Sequence, residues 1–219
     1  MYKVRVGKKI LRANEEIAQE NSRLLGDAKS LCLNMISSPG SGKTTILVRT
    51  IETLKDKVKI GVIEGDIQTD LDAERIRATG TAAIQINTEG ACHLSAAQVH
   101  QGLSDLDIEG LDLIFIENVG NLVCPSAFEL GETGKLAVLS VSEGDDKPAK
   151  YPAIFAKSKA VLINKIDLLE TGQIDFDIEK VKTECRKLNK ETPIFLVSAK
   201  TGEGMDQWCR WLEELVGSV

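Results

Sequence analysis

The sequence predicts an α/β fold, a mainly parallel sheet with helices on both faces, and three observations predict it. Apolar runs recur along the chain at residues 31–36, 58–63, 82–86, 111–116, 136–141, 160–163 and 194–197, as expected of strands buried on both sides. Helical stretches at 70–79, 92–103, 177–188 and 205–216 lie between most of them. Several runs end in polar clusters, which places chemistry at the carboxyl ends of the strands, where ligands gather in such sheets. No internal repeat, low-complexity tract or linker interrupts the 219 residues. The expected organisation is one domain over 1–219, with 1–30 a helical extension packed on it.

In the extension, Leu11, Ile17, Leu24 and Leu25 recur near helical spacing among Glu, Gln and Asn, so an amphipathic helix is expected over 11–25. The first apolar run leads into Ser37-Ser38-Pro39-Gly40-Ser41-Gly42-Lys43-Thr44-Thr45, and Ile46, Leu47, Val48, Ile51 and Leu54 follow as one side of a helix. Strand, glycine loop and helix in that order make a phosphate-binding loop. Gly40 and Gly42 let backbone N–H groups turn inward on a polyphosphate, and the helix N-terminus adds its positive dipole end. Lys43 reaches the outer phosphates and the Thr44 hydroxyl holds magnesium. Gly40, Ser41, Gly42, Lys43, Thr44 and Thr45 are the candidate nucleotide-binding residues here. The usual pattern opens with Gly where this chain has Ser37.

The second and fourth runs end in Glu64-Gly65-Asp66 and Glu117-Asn118-Val119-Gly120. In nucleotide hydrolases an acidic residue at such a strand end orients magnesium through water. A glycine three residues on offers its N–H to the γ-phosphate. Glu117 and Gly120 fit these roles, and Asp66 fits the ion shell or the attacking water, with a capping or solvated carboxylate as its alternative. Asp72 is a weaker candidate of the same kind. Lys43, Asp66, Glu117 and Gly120 form the candidate catalytic set; Thr44, Asp66 and Glu117 form the candidate magnesium set. Asn121 follows, where small GTPases often carry a water-positioning Gln, so slow intrinsic turnover is expected unless a partner or dimerisation completes the site.

The run at 160–163 enters Asn164-Lys165-Ile166-Asp167. Asp167 can accept hydrogen bonds from the N1–H and exocyclic amine of guanine, which adenine does not offer in that geometry. Lys165 lies across the base, and Asn164 ties this loop to the phosphate loop. The last run ends in Ser198-Ala199-Lys200, the second guanine loop. Together the motifs select GTP and its product GDP over ATP.

A net charge of −6 and a pI of about 5.1 argue against a nucleic-acid partner, which needs clustered Lys and Arg. No apolar stretch approaches the roughly 20 residues of a membrane helix. The first nine residues lack a signal-peptide core, so a cytoplasmic protein is expected. The five cysteines are expected as thiols or metal ligands. Cys32, Cys185 and Cys209 fall inside predicted strands or helices and read as packing residues, and His100 reads as a surface residue. Cys92-His93, expected at a helix start, and Cys124-Pro125 instead lie at the ligand edge of the sheet. Thiolate and imidazole suit nickel or zinc better than magnesium. Three donors leave a four-coordinate ion unsaturated, and adjacency works against Cys92 and His93 both closing on one ion. A symmetric homodimer is the simplest completion. Seven residues separate Glu117 from Cys124, so nucleotide state and metal affinity are expected to be coupled.

The chain resembles the nickel-iron hydrogenase maturation GTPases of the HypB family over nearly its whole length. The likeness rests on Ala13-Asn14, the phosphate loop, Glu64-Gly65-Asp66, Cys92-His93-Leu94, Glu143-Gly144-Asp145-Asp146-Lys147-Pro148, Lys150-Tyr151-Pro152 and, most specifically, the run from Glu117 through Asn121-Leu122-Val123 to Cys124-Pro125. The resemblance implies a phosphate-loop GTPase that forms a homodimer with nucleotide and binds nickel or zinc at Cys92, His93 and Cys124. It also implies work with a HypA-type nickel metallochaperone on the hydrogenase large-subunit precursor. The N-terminal cysteine cluster or His-rich tract of some members is absent from this sequence, and Ala97 stands where some archaeal relatives carry a further histidine. Two other readings are a urease-type nickel accessory GTPase, which typically presents Cys-Pro-His where this chain has Cys124-Pro125-Ser126, and a metal carrier in which hydrolysis is incidental.

Overall fold

The computed structural model describes residues 6–66 and 71–218. Seven strands form one sheet in the order β3-β2-β4-β1-β5-β6-β7, with every pairing parallel. They are β1 (Leu31–Ser37), β2 (Ile60–Asp66), β3 (Ala82–Asn87), β4 (Leu113–Glu117), β5 (Gly134–Ser140), β6 (Ser158–Asn164) and β7 (Ile194–Leu196). The chain leaves β1 to one side for β2 and β3, returns for β4, and then continues on the other side. The crevice above β1 is therefore flanked by β4 and β5, where such sheets bind ligands.

All seven residues of β1 are buried. Leu31, Leu33 and Met35 point to the face covered by α2 (Lys43–Leu54) and α9 (Met205–Val216), where Ile46, Leu47, Trp208 and Leu212 meet them. Cys32 faces the other side, with Leu25 of α1 (Val6–Asp27) and Val99 and Leu103 of α4 (Ala96–Asp105). Further along that face, Ile36 packs with Ile154 and Phe155 of α7 (Pro152–Lys157) and Val181 and Cys185 of α8 (Ile178–Leu188). The alternation of side chains along a strand thus feeds one core on each side, which continuous apolar runs permit. Cys32, Cys185 and Cys209 are buried free thiols, as packing residues should be.

Several boundaries shift for identifiable reasons. β4 starts two residues late because Leu111 closes a turn on the Ile108 carbonyl, and the Asp112 carboxylate accepts from the Lys59 N–H. Val141 leaves β5 because Ser140 and Glu143 form a capping box that opens the turn Val141–Glu143. The helix expected over 92–103 starts at Ala96, where Ser95 caps it and Gln98 completes the box, so Cys92 and His93 occupy a loop. α3 (Leu71–Arg77) lies within the expected 70–79, whose first residue is outside the described set. Short helices α5 (Cys124–Ala127) and α6 (Lys147–Lys150) and the helix α7 were not anticipated. His100 is not a free surface residue: it is half-buried, and its Nδ1 lies 2.8 Å from Oδ1 of Asn21 on α1.

Candidate nucleotide and metal site

The phosphate loop hangs between β1 and α2. Gly40 and Gly42 have φ of 75° and 92°, backbone that a side chain would strain. A Cβ on Gly42 would also meet Asn164 Nδ2 at 2.6 Å. The departure at Ser37 has a use. Its hydroxyl accepts from Lys43 Nζ at 3.0 Å and holds the buried ammonium at the loop. The Ser41 hydroxyl lies 2.7 Å from the Ser38 carbonyl and 2.6 Å from Oε1 of Glu143. Glu143 is a contact the sequence reading missed, although its Ser-x-x-Glu spacing from Ser140 was visible.

Thr44 Oγ1 donates to Glu117 Oε1 at 2.8 Å, joining the phosphate loop to the end of β4. Gly120 lies against the loop from above, where a Cβ would meet Pro39 Cα at 2.8 Å and Pro39 N at 2.9 Å. Parallel pairing sets Glu64 in register with Glu117, which the strand-end motifs had not disclosed. Ligand atoms of Glu64, Asp72 and Glu117 lie within 4.8 Å of one another. Asp66, half-buried two residues beyond Glu64, contributes its charge to the same neighbourhood. Arg75 pairs with Asp72 at 3.1 Å and donates to Thr45 Oγ1 at 3.0 Å, holding α3 to α2.

Burial raises the Glu64 carboxyl to about 8, with Glu117, Asp66 and Asp72 adding to the rise. It raises Glu117 to about 7 against the pull of Lys43 and the Thr44 hydrogen bond. Oε2 of each glutamate is buried without a hydrogen-bond partner. Two unsatisfied carboxylate oxygens beside a threonine hydroxyl fit a hard divalent cation such as magnesium. These raised values have a stability consequence. The folded state holds protons on these two carboxyls that the unfolded chain releases near its ordinary carboxyl range, so their contribution to stability is fullest at low pH and is lost as pH rises through about 7 to 8. The melting temperature of the cation-free protein is expected to fall between pH 6 and pH 8.5, and to fall less in Glu64→Gln; thermal denaturation across that range is the check.

A cleft of about 310 Å³ is lined by Gly42, Thr45, Asn164, Lys165, Asp167, Leu168, Ala199 and Lys200, which include residues expected around a base. Asn164 donates to the Ser41 carbonyl at 2.9 Å and accepts from the Ala199 N–H at 3.1 Å, so one amide ties the three loops together. Lys165 has φ 64°, and its Nζ donates to the Gly40 carbonyl at 2.7 Å. The Ser198 hydroxyl donates to Asp167 Oδ1 at 2.6 Å and orients that carboxylate.

Ligand atoms of Cys92, His93 and Cys124 lie within 4.8 Å of one another, with Cys92 Sγ 3.5 Å from His93 Nδ1. The expectation that adjacent residues would not converge is corrected here. Glu89 and Gly90, with φ of 52° and 89°, turn the chain just before the pair, so the two side chains do not diverge as they would on a helix. The His93 ring lies 3.9 Å from that of Phe128, which the sequence reading had not placed in the site. The hydrogen bond with Cys124, then burial, holds the Cys92 thiol above its ordinary range, and burial lowers His93. Metal binding at the thiols must therefore release protons.

Two asparagines join this cluster to the segment after β4. Asn118 Oδ1 accepts from the Leu94 N–H at 3.2 Å, while its Nδ2 donates to Asn34 on β1 at 3.2 Å. Asn121 Nδ2 lies 3.4 Å from the Cys92 carbonyl, and its Oδ1 accepts from the Val123 N–H at 2.8 Å. Glu117, the last residue of β4, thus touches Thr44, and the segment that follows it touches the backbone of Cys92 and Leu94.

A parallel sheet with a phosphate loop at its turning point, buried carboxylates beside it and a base-sized cleft defines a phosphate-loop nucleotide-binding protein. The chain belongs to the family described as CobW/HypB/UreG, nucleotide-binding domain, whose sequence model matches residues 32–196, and within it to the HypB hydrogenase maturation factors. It is 52% identical over 204 residues to the hydrogenase maturation factor HypB of Escherichia coli K12, covering 93% of this chain and 70% of that protein. The crystal structure of HypB from Helicobacter pylori in complex with nickel superposes with a TM-score of 0.88 at 41% identity, covering 94% of this chain and 96% of that one. That of the Archaeoglobus fulgidus HypB gives 0.86 at 37% identity, covering 94% and 100%. Among the described residues no helix is long and apolar enough to cross a membrane.

Proposed function

We propose that the protein hydrolyses GTP and carries nickel or zinc as cargo, and that it assists nickel insertion into a nickel-iron hydrogenase as a nucleotide-dependent homodimer. A HypA-type metallochaperone and the hydrogenase large-subunit precursor are its partners in this reading. The observation that carries it is the path from Thr44 through Glu117 and Asn118 to Leu94, because it joins the phosphate loop to the thiol cluster by two hydrogen bonds and two adjacent residues. The complex of the Helicobacter pylori HypB with nickel supports the choice of cargo.

Lys43 and the amides of Gly40 to Thr44 hold the β- and γ-phosphates. Thr44 and Glu117, with Glu64 and Asp66 behind them, would hold magnesium, which would supply charge neutralisation at the phosphates. The Gly120 N–H meets the γ-phosphate and is released with it, and that displacement reaches Cys92 through Asn121. Cys92, His93 and Cys124 hold the cargo ion, which a second subunit's copy completes. With Asn121 in place of a water-positioning Gln, turnover by the isolated subunit is slow.

Asp167 and Ser198 read the guanine. Asp167→Asn replaces one of the two carboxylate acceptors for the N1–H and exocyclic amine with an amide donor and is expected to weaken GTP binding by about 100-fold or more, because a donor on the base is left without an acceptor. Equilibrium titration with GTP and with xanthosine triphosphate checks it. The function itself is tested by GTP turnover, metal content and solution mass of the purified chain with GDP and with a non-hydrolysable GTP analogue. No GTP-selective turnover, or a monomer in every state, contradicts it.

A further inference from the structure

We propose that α1 is a strut for the metal loop, and that Asn14 and Asn21 are positioning residues that set the gap between the loop of Cys92 and His93 and the segment of Cys124 and Phe128. The inference rests on the reading of those donors as a cargo-metal site. Asn14, 8% exposed, accepts from the Ala96 N–H at 2.8 Å and donates to the Glu129 carbonyl at 2.7 Å. Asn21, fully buried, donates to the Ala96 carbonyl at 2.9 Å and the Leu130 carbonyl at 2.8 Å. Each amide therefore bridges the same two backbone segments. Ala96 lies three residues after His93. Glu129 directly follows Phe128, whose ring packs on His93, and lies five residues after Cys124.

The two asparagines are seven apart, two turns on one side of the helix, so they converge from either side on Ala96 and on the consecutive carbonyls of Glu129 and Leu130. With both Nδ2 hydrogens of Asn21 spent on carbonyls, its Oδ1 must accept from His100, which fixes the proton on His100 Nδ1. The approach is close on the far side as well. Gly131 has φ 93°, and a Cβ there would meet the Ala18 carbonyl and Asn21 Cβ, each at 2.5 Å. An apolar helix face alone would dock α1 through Ala18 and Leu25, both buried. Two amides committed at both ends to the flanks of the donors specify more than docking. The hydrogen bonds of Asn14 and Asn21 go to no residue of the phosphate loop or base pocket. Loosening them should widen the metal site and leave nucleotide binding alone.

The test uses the full chain as Asn14→Ala, Asn21→Ala and the double variant, titrated with nickel alone and zinc alone against a chromophoric chelator, and separately with GDP. Cobalt is also substituted to read its thiolate absorption band. The double variant is expected to bind nickel at least about 10-fold more weakly, as when supporting residues around metal ligands are removed, and to shift the cobalt band, with GDP affinity within twofold. Thr50→Val, which removes the acceptor of the buried Trp208 indole N–H, is the control. It should lower thermal stability without moving metal affinity. If the double variant does not fold, Asn14→Ala carries the test with the same sign, because the bonds of Asn21 stay in place. Metal affinity within twofold of the unsubstituted chain overturns the strut, as does a parallel fall in metal and GDP affinity. Metal binding by the unsubstituted chain that is indifferent to Cys124→Ala overturns both the strut and the site it supports.

Discussion

Lys43→Ala is expected to lower GTP turnover by about 1,000-fold, equivalent to roughly 4 kcal/mol of lost transition-state stabilisation. Two features set that size. Lys43 is 8% exposed and its ammonium is held by the Ser37 hydroxyl, so it needs little reorganisation to meet phosphate charge. It is also a cation facing the buried pair Glu64 and Glu117, and its loss leaves those carboxylates with less opposing charge. The variant should therefore lose magnesium-dependent nucleotide binding as well as the chemical step. Single-turnover hydrolysis at saturating GTP separates the two, and turnover within tenfold of the unsubstituted chain would remove Lys43 from the mechanism.

Cys124→Ala should have the largest effect at the candidate metal site. It removes one of three converging donors and the hydrogen bond that raises the Cys92 thiol, so nickel and zinc affinities are expected to fall by about 100-fold or more. That corresponds to at least about 2.7 kcal/mol. Because metal binding displaces thiol protons, the affinity of the unsubstituted chain should rise with pH, and the slope should be shallower in the variant. Isothermal titration at two pH values in buffers of different ionisation enthalpy measures both. Unchanged stoichiometry and affinity would exclude Cys124.

The strand ends were the legible part of this protein. Continuous apolar runs announced a parallel sheet, and each polar cluster at a run's end belongs to the crevice above β1, because topology leaves it nowhere else to go. Helices without a clear apolar period were less legible: α5, α6 and α7 are four to six residues long and supported by tertiary packing. Ala96, Val99 and Leu103 carry a helical period that extends backward to Cys92, so periodicity alone places Cys92 and His93 in the helix. The capping box at Ser95 and Gln98 sets the actual start, and that spacing was present to be seen. The roles of Asn14, Asn21 and Asn118 were out of reach in a different way. A buried amide gives no periodic signal, and its partners come from segments tens of residues away. Glu64 was half legible, as an acidic residue at the close of an apolar run, but its pairing with Glu117 needed the strand register.

In the proposed function one mechanical link couples the two sites: the segment following β4 moves with the nucleotide and carries the metal loop through the hydrogen bonds of Asn118 and Asn121. Allosteric coupling of this kind typically amounts to 1–3 kcal/mol, or about 5- to 150-fold in affinity. The most direct measurement is the nickel dissociation constant of the GDP-bound protein set beside that of the form bound to a non-hydrolysable GTP analogue, repeated in Asn118→Ala. The account predicts at least about a fivefold difference between the two nucleotide states, largely abolished in Asn118→Ala. Equal nickel affinity in both states of the unsubstituted protein would contradict it.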